Sequence, residues 1–304
     1  MKMNEKLYGF VVLHYLDYEM TKKCVTTLIK NFINYNYKIV IVDNASNNGS
    51  AERLQVLFKD NSNVKVIINL NNLGFAQGNN VGYEYIRNTY DADYIVVMNN
   101  DVLIQQKDFL DEIESLYGKE RYYILGPDIY CPLSKKHQNP SRLIPLSESE
   151  VRETYDILLE RKHHYNKYFI KKLWMSIFSK KQQREVNARG YDNFQRNVVL
   201  HGACYIFSKQ YIELRKMAFN PNTFLYLEEE ILYFEAMRDN MLILYSPQLK
   251  VEHLEDISTK KAFKFAYSRE KMITENKLNS IKILYDLMIN MGKKDEKSKN
   301  DSKN

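Results

Sequence analysis

Tyr94-Ile95-Val96-Val97-Met98-Asn99-Asn100-Asp101 runs from five apolar or aromatic residues into three polar ones. A continuous β-branched run is the pattern of a strand buried on both faces, and such strands deliver their functional groups at the carboxyl end of an open sheet. Asp101 is then a carboxylate held at a sheet edge. The plainer alternative is a strand leaving through a polar turn, because Asn and Asp are common turn residues. The flanking sequence decides between them.

On the amino-terminal side the same pattern recurs. Gly9–His14 reads as a strand, followed by a polar turn at Asp17 and a helix with Cys24, Val25, Leu28, Ile29 and Phe32 on one stripe. Lys38–Val42 is a second strand and ends at Asp43, before the capping-rich turn Asn44-Ala45-Ser46-Asn47-Asn48-Gly49-Ser50 and a helix through Leu54 and Phe58. Val64–Ile68 is a third strand. A Gly/Asn-rich turn from Asn69 to Asn80 leads into a helix with Val81, Tyr85 and Ile86. Strand and helix in alternation predict an α/β fold whose central sheet is mostly parallel, with helices on both faces. Asp43 and Asp101 then share the ligand-binding edge. Gly74, Gly78 and Gly82 are four apart, which fits neither a dinucleotide fingerprint nor a P-loop. Gly74 reads as a tight turn, and Gly78 as room for a ligand or a neighbouring element.

Beyond Asp101 a helix is expected through Phe109, Leu110, Ile113 and Leu116, then a strand Tyr122–Leu125 closed by Gly126-Pro127-Asp128. From about Ser134 the pattern breaks into loop. Val198–Phe207 is a buried segment containing Gly202, which marks a bend or a close backbone approach. Phe224-Leu225-Tyr226-Leu227 leads into Glu228-Glu229-Glu230 and a helix through Leu232 and Met237. Acids there suit the helix dipole, yet the apolar wall before them also suits a carboxylate with a raised pKa acting as a general base. Short strands Leu242–Tyr245 and Leu249–His253 follow, then a helix after Ser258, a second helical piece through Ile281 and Leu284, and a polar tail.

Composition bounds the rest. The 304 residues are 44% hydrophobic, enough for a large globular α/β unit. Three widely spaced cysteines predict reduced thiols rather than a disulfide frame or a zinc site. No apolar run approaches a membrane span and the start has no signal-peptide core, so a cytoplasmic protein is expected. The formal charge of +6 is concentrated: Arg161–Gly190 holds nine Lys or Arg against one acid, leaving the rest of the chain at −2. Inside that stretch Ile170, Leu173, Trp174, Ile177 and Phe178 form one apolar stripe. This reads either as a helix at a membrane surface or as a helix packed on the core with a solvated basic flank. The expected organisation is an amino-terminal unit at 1–133, a variable basic insertion at 134–197, a carboxyl-terminal unit at 198–291 and a disordered tail at 292–304.

The motifs Val11-Val12-Leu13-His14-Tyr15, Val42-Asp43-Asn44-Ala45-Ser46, Asn72–Asn80, Asn99-Asn100-Asp101, His201-Gly202-Ala203, Phe224–Glu229 and His253 occur in one order and spacing. Together they resemble the inverting family 2 glycosyltransferases of the GT-A fold, and within them the rhamnosyltransferase-like enzymes of bacterial surface polysaccharide synthesis. The resemblance implies transfer of a sugar, rhamnose among the candidates, from a UDP- or dTDP-sugar to a hydroxyl of a lipid-linked glycan at the inner face of the plasma membrane. It implies Asp43 as acceptor from the donor base, Gly74 and Asn80 beside the nucleotide, and Asn99 and Asp101 as the ends of a D-x-D-type motif. Asp101 and His253 would hold Mg²⁺ or Mn²⁺, and Glu229 or Glu228 would be the general base.

Several positions depart from the family pattern. His14-Tyr15-Leu16 stands for the frequent Thr-Tyr-Asn, Asn99 for Asp, Glu229 for Asp, and Ile231 for a further Asp. The choice between Glu228 and Glu229 therefore stays open. Nucleotidyl transfer is a second reading, disfavoured by the absence of a Gly-rich basic signature after the first strand. A non-enzymatic nucleic-acid binder is a third. It is disfavoured because the aromatics of the basic stretch lie on one stripe rather than interleaved for base stacking, so no nucleic-acid partner is expected.

Overall fold

A computed structural model describes residues 6–169, 190–255 and 266–301. The first half alternates as expected: β1 (Leu7–His14), α1 (Tyr18–Asn31), β2 (Asn36–Asp43), α2 (Ser50–Phe58), β3 (Val64–Ile68), α3 (Gly74–Thr89) and β4 (Tyr94–Asn99). It continues with β5 (Val102–Leu103), α4 (Phe109–Glu120), β6 (Ile124–Cys131), β7 (Lys136–His137), α5 (Glu148–His163), β8 (Gln195–Arg196) and β9 (Cys204–Ser208). The last elements are α6 (Lys209–Leu214), α7 (Glu228–Arg238), β10 (Ile243–His253) and α8 (Ala266–Asp301). The sheet order is β3-β2-β1-β4-β9-β6-β10-β5, with β7 added to β6 and β8 to β10.

The parallel expectation holds for β3-β2-β1-β4 and for the β6–β10 pair. Antiparallel β9 is wedged between β4 and β6, so the sheet is mixed. Side chains alternate across the strands. Phe10, Val12, Val96 and Met98 pack towards Val25, Leu28, Phe109 and Ile113, while Val11, Val40 and Val97 pack towards Tyr83 and Ile86. A third cluster joins α5 (Val151, Leu158), α7 (Ile231) and α8 (Leu278, Ile281, Leu284).

The structure revises the sequence reading at five places. Helix α3 starts at Gly74, so Gly78, Asn79 and Asn80 are helical rather than part of a turn. Its glycines face the sheet: a Cβ at Gly82 would sit 2.5 Å from Val11 Cγ1, and one at Gly78 2.8 Å from Leu13 Cδ1. The neighbour to which they yield is the sheet, not a ligand. Strand β6 continues through Gly126-Pro127, and Pro127 is tolerated because the ladder to β10 shifts register between Ser246 and Lys250. That irregularity joins the two expected strands into a single β10. Helix α5 lies where a loop was expected; Ser147 and Glu150 form a capping box, but only Val151 and Leu158 are buried, two turns apart and too sparse a stripe to read. Helix α8 is continuous through Gly292 to Asp301, which revises the disordered tail expected from 292.

The three cysteines are free and buried. The basic stripe Ile170–Phe178 lies outside the described residues. Among the described residues no helix is long and apolar enough to cross a membrane.

Candidate active site

The opening stretch ends in a two-residue turn that re-enters the sheet. After Asn100 and Asp101 the chain enters β5, whose antiparallel pairing sets Val102 opposite His253. The Leu254 N–H donates to the Asp101 carbonyl at 2.9 Å. This short ladder brings together two residues about 150 positions apart: Asp101 Oδ1 lies 3.2 Å from His253 Nε2. The Gln138 amide decides the histidine tautomer. Its Nε2 donates to Glu255 Oε1, so its Oε1 accepts from His253 Nδ1 at 2.7 Å. With the proton on Nδ1, the Nε2 lone pair faces the carboxylate. A fixed imidazole and a carboxylate aimed at one point suit a divalent cation. Among the described residues no group of three or more His, Cys, Asp or Glu could hold a metal. The remaining positions would thus go to water and phosphate, as Mg²⁺ commonly prefers. The residues present fit the ion.

Asp43 ends β2 in a different environment. It is 1% exposed, and its carboxylate accepts from the Ser46 hydroxyl and, at 3.2 Å, from the Ser46 N–H. Beside it, His14 is buried in a polar chain. The Thr21 hydroxyl donates to the Asp17 carbonyl, so it accepts from His14 Nδ1 at 2.6 Å and from Asn100 Nδ2 at 2.9 Å. His14 Nε2 in turn accepts from Ser50 Oγ at 2.7 Å and stands 3.6 Å from Asp43 Oδ1. Burial pushes the His14 pKa down, against the pull of Asp43, so the ring is neutral. The departure His14 thus belongs to a buried network that runs from Asp43 to Asn100, the residue preceding Asp101.

Gly74 and Asn80 do not open towards a ligand. Gly74 has φ +75, and a Cβ there would sit 2.0 Å from the Phe224 carbonyl oxygen. Next to it, Phe75 N–H donates to that oxygen at 2.7 Å. The Asn80 amide is closed on the Phe219 backbone, donating to its carbonyl and accepting from its N–H, each at 2.9 Å. Both residues clamp the 219–224 segment that leads to α7. Asn44 locks the same corner, bonding Asn72, the Gly74 carbonyl and Leu73 N–H. Asn99 is half-buried at the end of β4, and its N–H donates to the Ala203 carbonyl at 3.0 Å.

The three glutamates have separate environments. They follow Tyr226 and Leu227, which both hold positive φ (77 and 65), costly for bulky residues and frequent at functional turns. Glu230 accepts from Arg142 at 3.1 Å and from Leu146 N–H, tying down the insertion. Glu228 is 6% exposed. Burial, and then the charge of Glu229, push its pKa up to about 7, opposed by hydrogen bonds from Thr223 and backbone amides. Glu229 is half-buried and lies on Gly202, where a Cβ would come 3.3 Å from its Oε1. Burial raises its pKa, while Gly202 N–H and the Lys277 ammonium hold it down. Gly202 therefore does mark a close approach. Its neighbour His201 meets His253 edge to face, with ring centroids 5.8 Å apart. Burial, then His253, push the His201 pKa down to about 4. The His201-Gly202 turn thus spans from the base candidate Glu229 to the metal pair. Gln138 and Lys277 carry no sequence signal; only the fold brings them in.

The sequence profile of Glycosyl transferase family 2 matches residues 10–183. The chain belongs to that family. No curated protein matches the sequence. Among solved structures, this family 2 chain is similar to GalNAc-T7 with UDP, GalNAc and Mn²⁺, at TM-score 0.52 and 14% identity, over 83% of this chain and 44% of that one. It is also similar to the mannosyltransferase PcManGT of Pyrobaculum calidifontis in complex with GDP-Man and Mn²⁺, at TM-score 0.50 and 10% identity, over 89% and 69%. The family 2 chain thus spans less than half the length of the first. At these identities the likeness shows the fold, the GT-A arrangement, with its mixed central sheet between helices.

Proposed function

We propose that the chain is a metal-dependent, inverting glycosyltransferase that moves a sugar from a UDP- or dTDP-sugar to a hydroxyl of a glycan acceptor. The observation that carries this reading is the Asp101–His253 pair at 3.2 Å, with the tautomer set by Gln138, at the sheet edge of a family 2 fold. A bound Mg²⁺ or Mn²⁺ would stabilise charge on the leaving diphosphate.

The chain's own residues supply the rest. Glu229 is the general base: it keeps a partly exposed side chain against the His201-Gly202 turn, whereas Glu228 is sealed and Glu230 is paired with Arg142. Its Oε takes the acceptor proton as the hydroxyl attacks the anomeric carbon from the face opposite the diphosphate, and a single displacement inverts that carbon. Burial raises the Glu229 pKa, which makes it a stronger base than an exposed glutamate, while the Gly202 N–H and Lys277 favour its ionised form. Asp43 reads the nucleobase with lone pairs left after Ser46. Rhamnose as donor sugar and a lipid-linked acceptor belong to the same reading. The exposed Ile144 (80%) in the insertion and Leu133 (79%) just before it support an apolar surface nearby.

The test is a thermal-shift titration with UDP-, dTDP- and GDP-sugars, with and without Mn²⁺, followed by product analysis. One donor should raise the melting temperature only with metal, and turnover should release a nucleoside diphosphate. Release of inorganic diphosphate instead would favour nucleotidyl transfer.

A further inference from the structure

One cavity lies apart from the donor edge. It has a volume of about 560 Å³ and covers one face of the four strand ends β7-β6-β10-β5. Asp128 and Tyr130 from β6, Lys250, Val251 and Glu252 from β10 and Leu103 from β5 line it, while Ile129, between Asp128 and Tyr130, turns to the core. His137, the ladder partner of Tyr130, completes the wall.

The side chains here are fixed. His137 Nδ1 meets both oxygens of buried Asp128 at 2.8 and 3.0 Å, and its ring stacks on Tyr191 at 3.9 Å between centroids. Gln105 Nε2 donates to Glu252 at 2.7 Å, and Gln106 Oε1 accepts from Lys250 N–H at 2.9 Å. Charge argues against several ligand classes. Lys250 and Glu252 contribute one charge of each sign, and Asp128 is engaged by His137, so there is no cationic surplus for phosphate. Leu103 and Val251 add apolar surface between the polar groups, against which the C–H face of a sugar ring can lie. What remains is a set of planar amides, carboxylates and an aromatic ring held in place. That chemistry suits a neutral polyhydroxylated ligand, with hydroxyls bonded by the planar groups and C–H faces laid on rings.

The cavity also touches the active site through the chain. Glu252 precedes the metal candidate His253, and His137 precedes Gln138, which orients it. His137 lines a second cavity as well, of about 420 Å³, which includes Gln138, His201 and Ser141. The two cavities therefore adjoin at edge strand β7.

We propose that the β7-β6-β10-β5 cavity is a saccharide-binding site that holds inner units of an oligosaccharide acceptor while its reactive end lies in the His201 cavity. This rests on the glycosyltransferase reading and narrows the acceptor class to chains of several sugars. The probes are linear neutral oligosaccharides of one to six units, titrated by ligand-observed NMR against the full chain. Affinity should rise with chain length and fall about tenfold in Tyr130→Ala and in the double variant Gln105→Ala/Lys250→Ala. Gln105 and Lys250 are exposed, so the double variant keeps the fold even if Tyr130→Ala does not. No bound oligosaccharide, or binding insensitive to the double variant, overturns the site. Metal-dependent nucleotide-sugar binding, measured in parallel, should be the same in wild type and double variant. Its absence in wild type would count against the glycosyltransferase reading itself, independently of the cavity.

Discussion

Asp43 and Asp101 look alike in the sequence. Each closes an apolar strand and stands beside asparagines. In the structure they do different things. Asp43 is almost fully buried and its oxygens hold Ser46, so it builds the turn after β2. Asp101 is followed by a two-residue strand that pairs with the end of β10, so its carboxylate faces an imidazole. The strand-end pattern fixes where a carboxylate stands. Its chemistry depends on what the next few residues pair with.

The sharpest way to break this comparison is a matched pair of variants. Asp101→Asn removes charge from the metal position, and turnover should fall by about 10³ or more, with Mn²⁺ affinity lost in parallel. Asp43→Asn keeps an acceptor oxygen for Ser46. It should raise the donor KM while leaving Mn²⁺ affinity at the wild-type value. Equal loss of metal binding in both variants, measured by Mn²⁺ titration, would erase the distinction.

A similar contrast separates Glu229 from its neighbours. Glu229→Gln should lower kcat by about 10²–10⁴ with little change in donor binding, the range typical of a lost general base. Its raised pKa moves the acid limb of the kcat/KM profile above the ordinary glutamate range. A pH profile of wild type and Glu228→Gln reads this directly: the limb persists if Glu229 is the base and vanishes if Glu228 is.

These contrasts mark how far the sequence could be read. The half from Leu7 to Asn99 was legible because apolar runs, capping residues and helical stripes act locally, and each strand there pairs with a parallel neighbour. The carboxyl half was less so. Strand β5 has two residues and no pattern of its own; it exists because β10 offers it a ladder. Asn80 and Gly74 resembled nucleotide contacts, but their partners, the backbones of Phe219 and Phe224, lie some 140–150 residues away. Gln138 is one polar residue in a loop until the fold sets it against His253. Local chemistry gave the residue types, and long-range pairing assigned their work.

A smaller effect bears on the sealed glutamate. The folded pKa of Glu228 is about 7 against an ordinary value of 4.5. The folded state therefore binds more protons than the unfolded state between those values, and stability falls as pH rises through that window. Above pH 7 the penalty is complete, roughly 3 kcal/mol at 1.36 kcal/mol per unit. Glu228→Gln should abolish that slope, melting above wild type at pH 8 and close to it at pH 4.5. Parallel melting curves for the two proteins across this range would mean that Glu228 ionises without cost.

The smallest expected effect concerns Gln138, and it asks whether the Asp101 side of the comparison depends on its support. Gln138 acts through the histidine: its carbonyl oxygen holds the His253 proton on Nδ1. Gln138→Ala removes that acceptor and lets the ring rotate or take the other tautomer. Outer partners of metal-binding histidines are worth about 10–100-fold in affinity, and a partly exposed amide belongs at the lower end. Mn²⁺ affinity should therefore fall about tenfold in Gln138→Ala, with the loss partly recovered in Gln138→Glu, whose carboxylate again accepts from Nδ1. The same Mn²⁺ titration would show unchanged affinity in both variants if His253 were held by β10 and β5 alone.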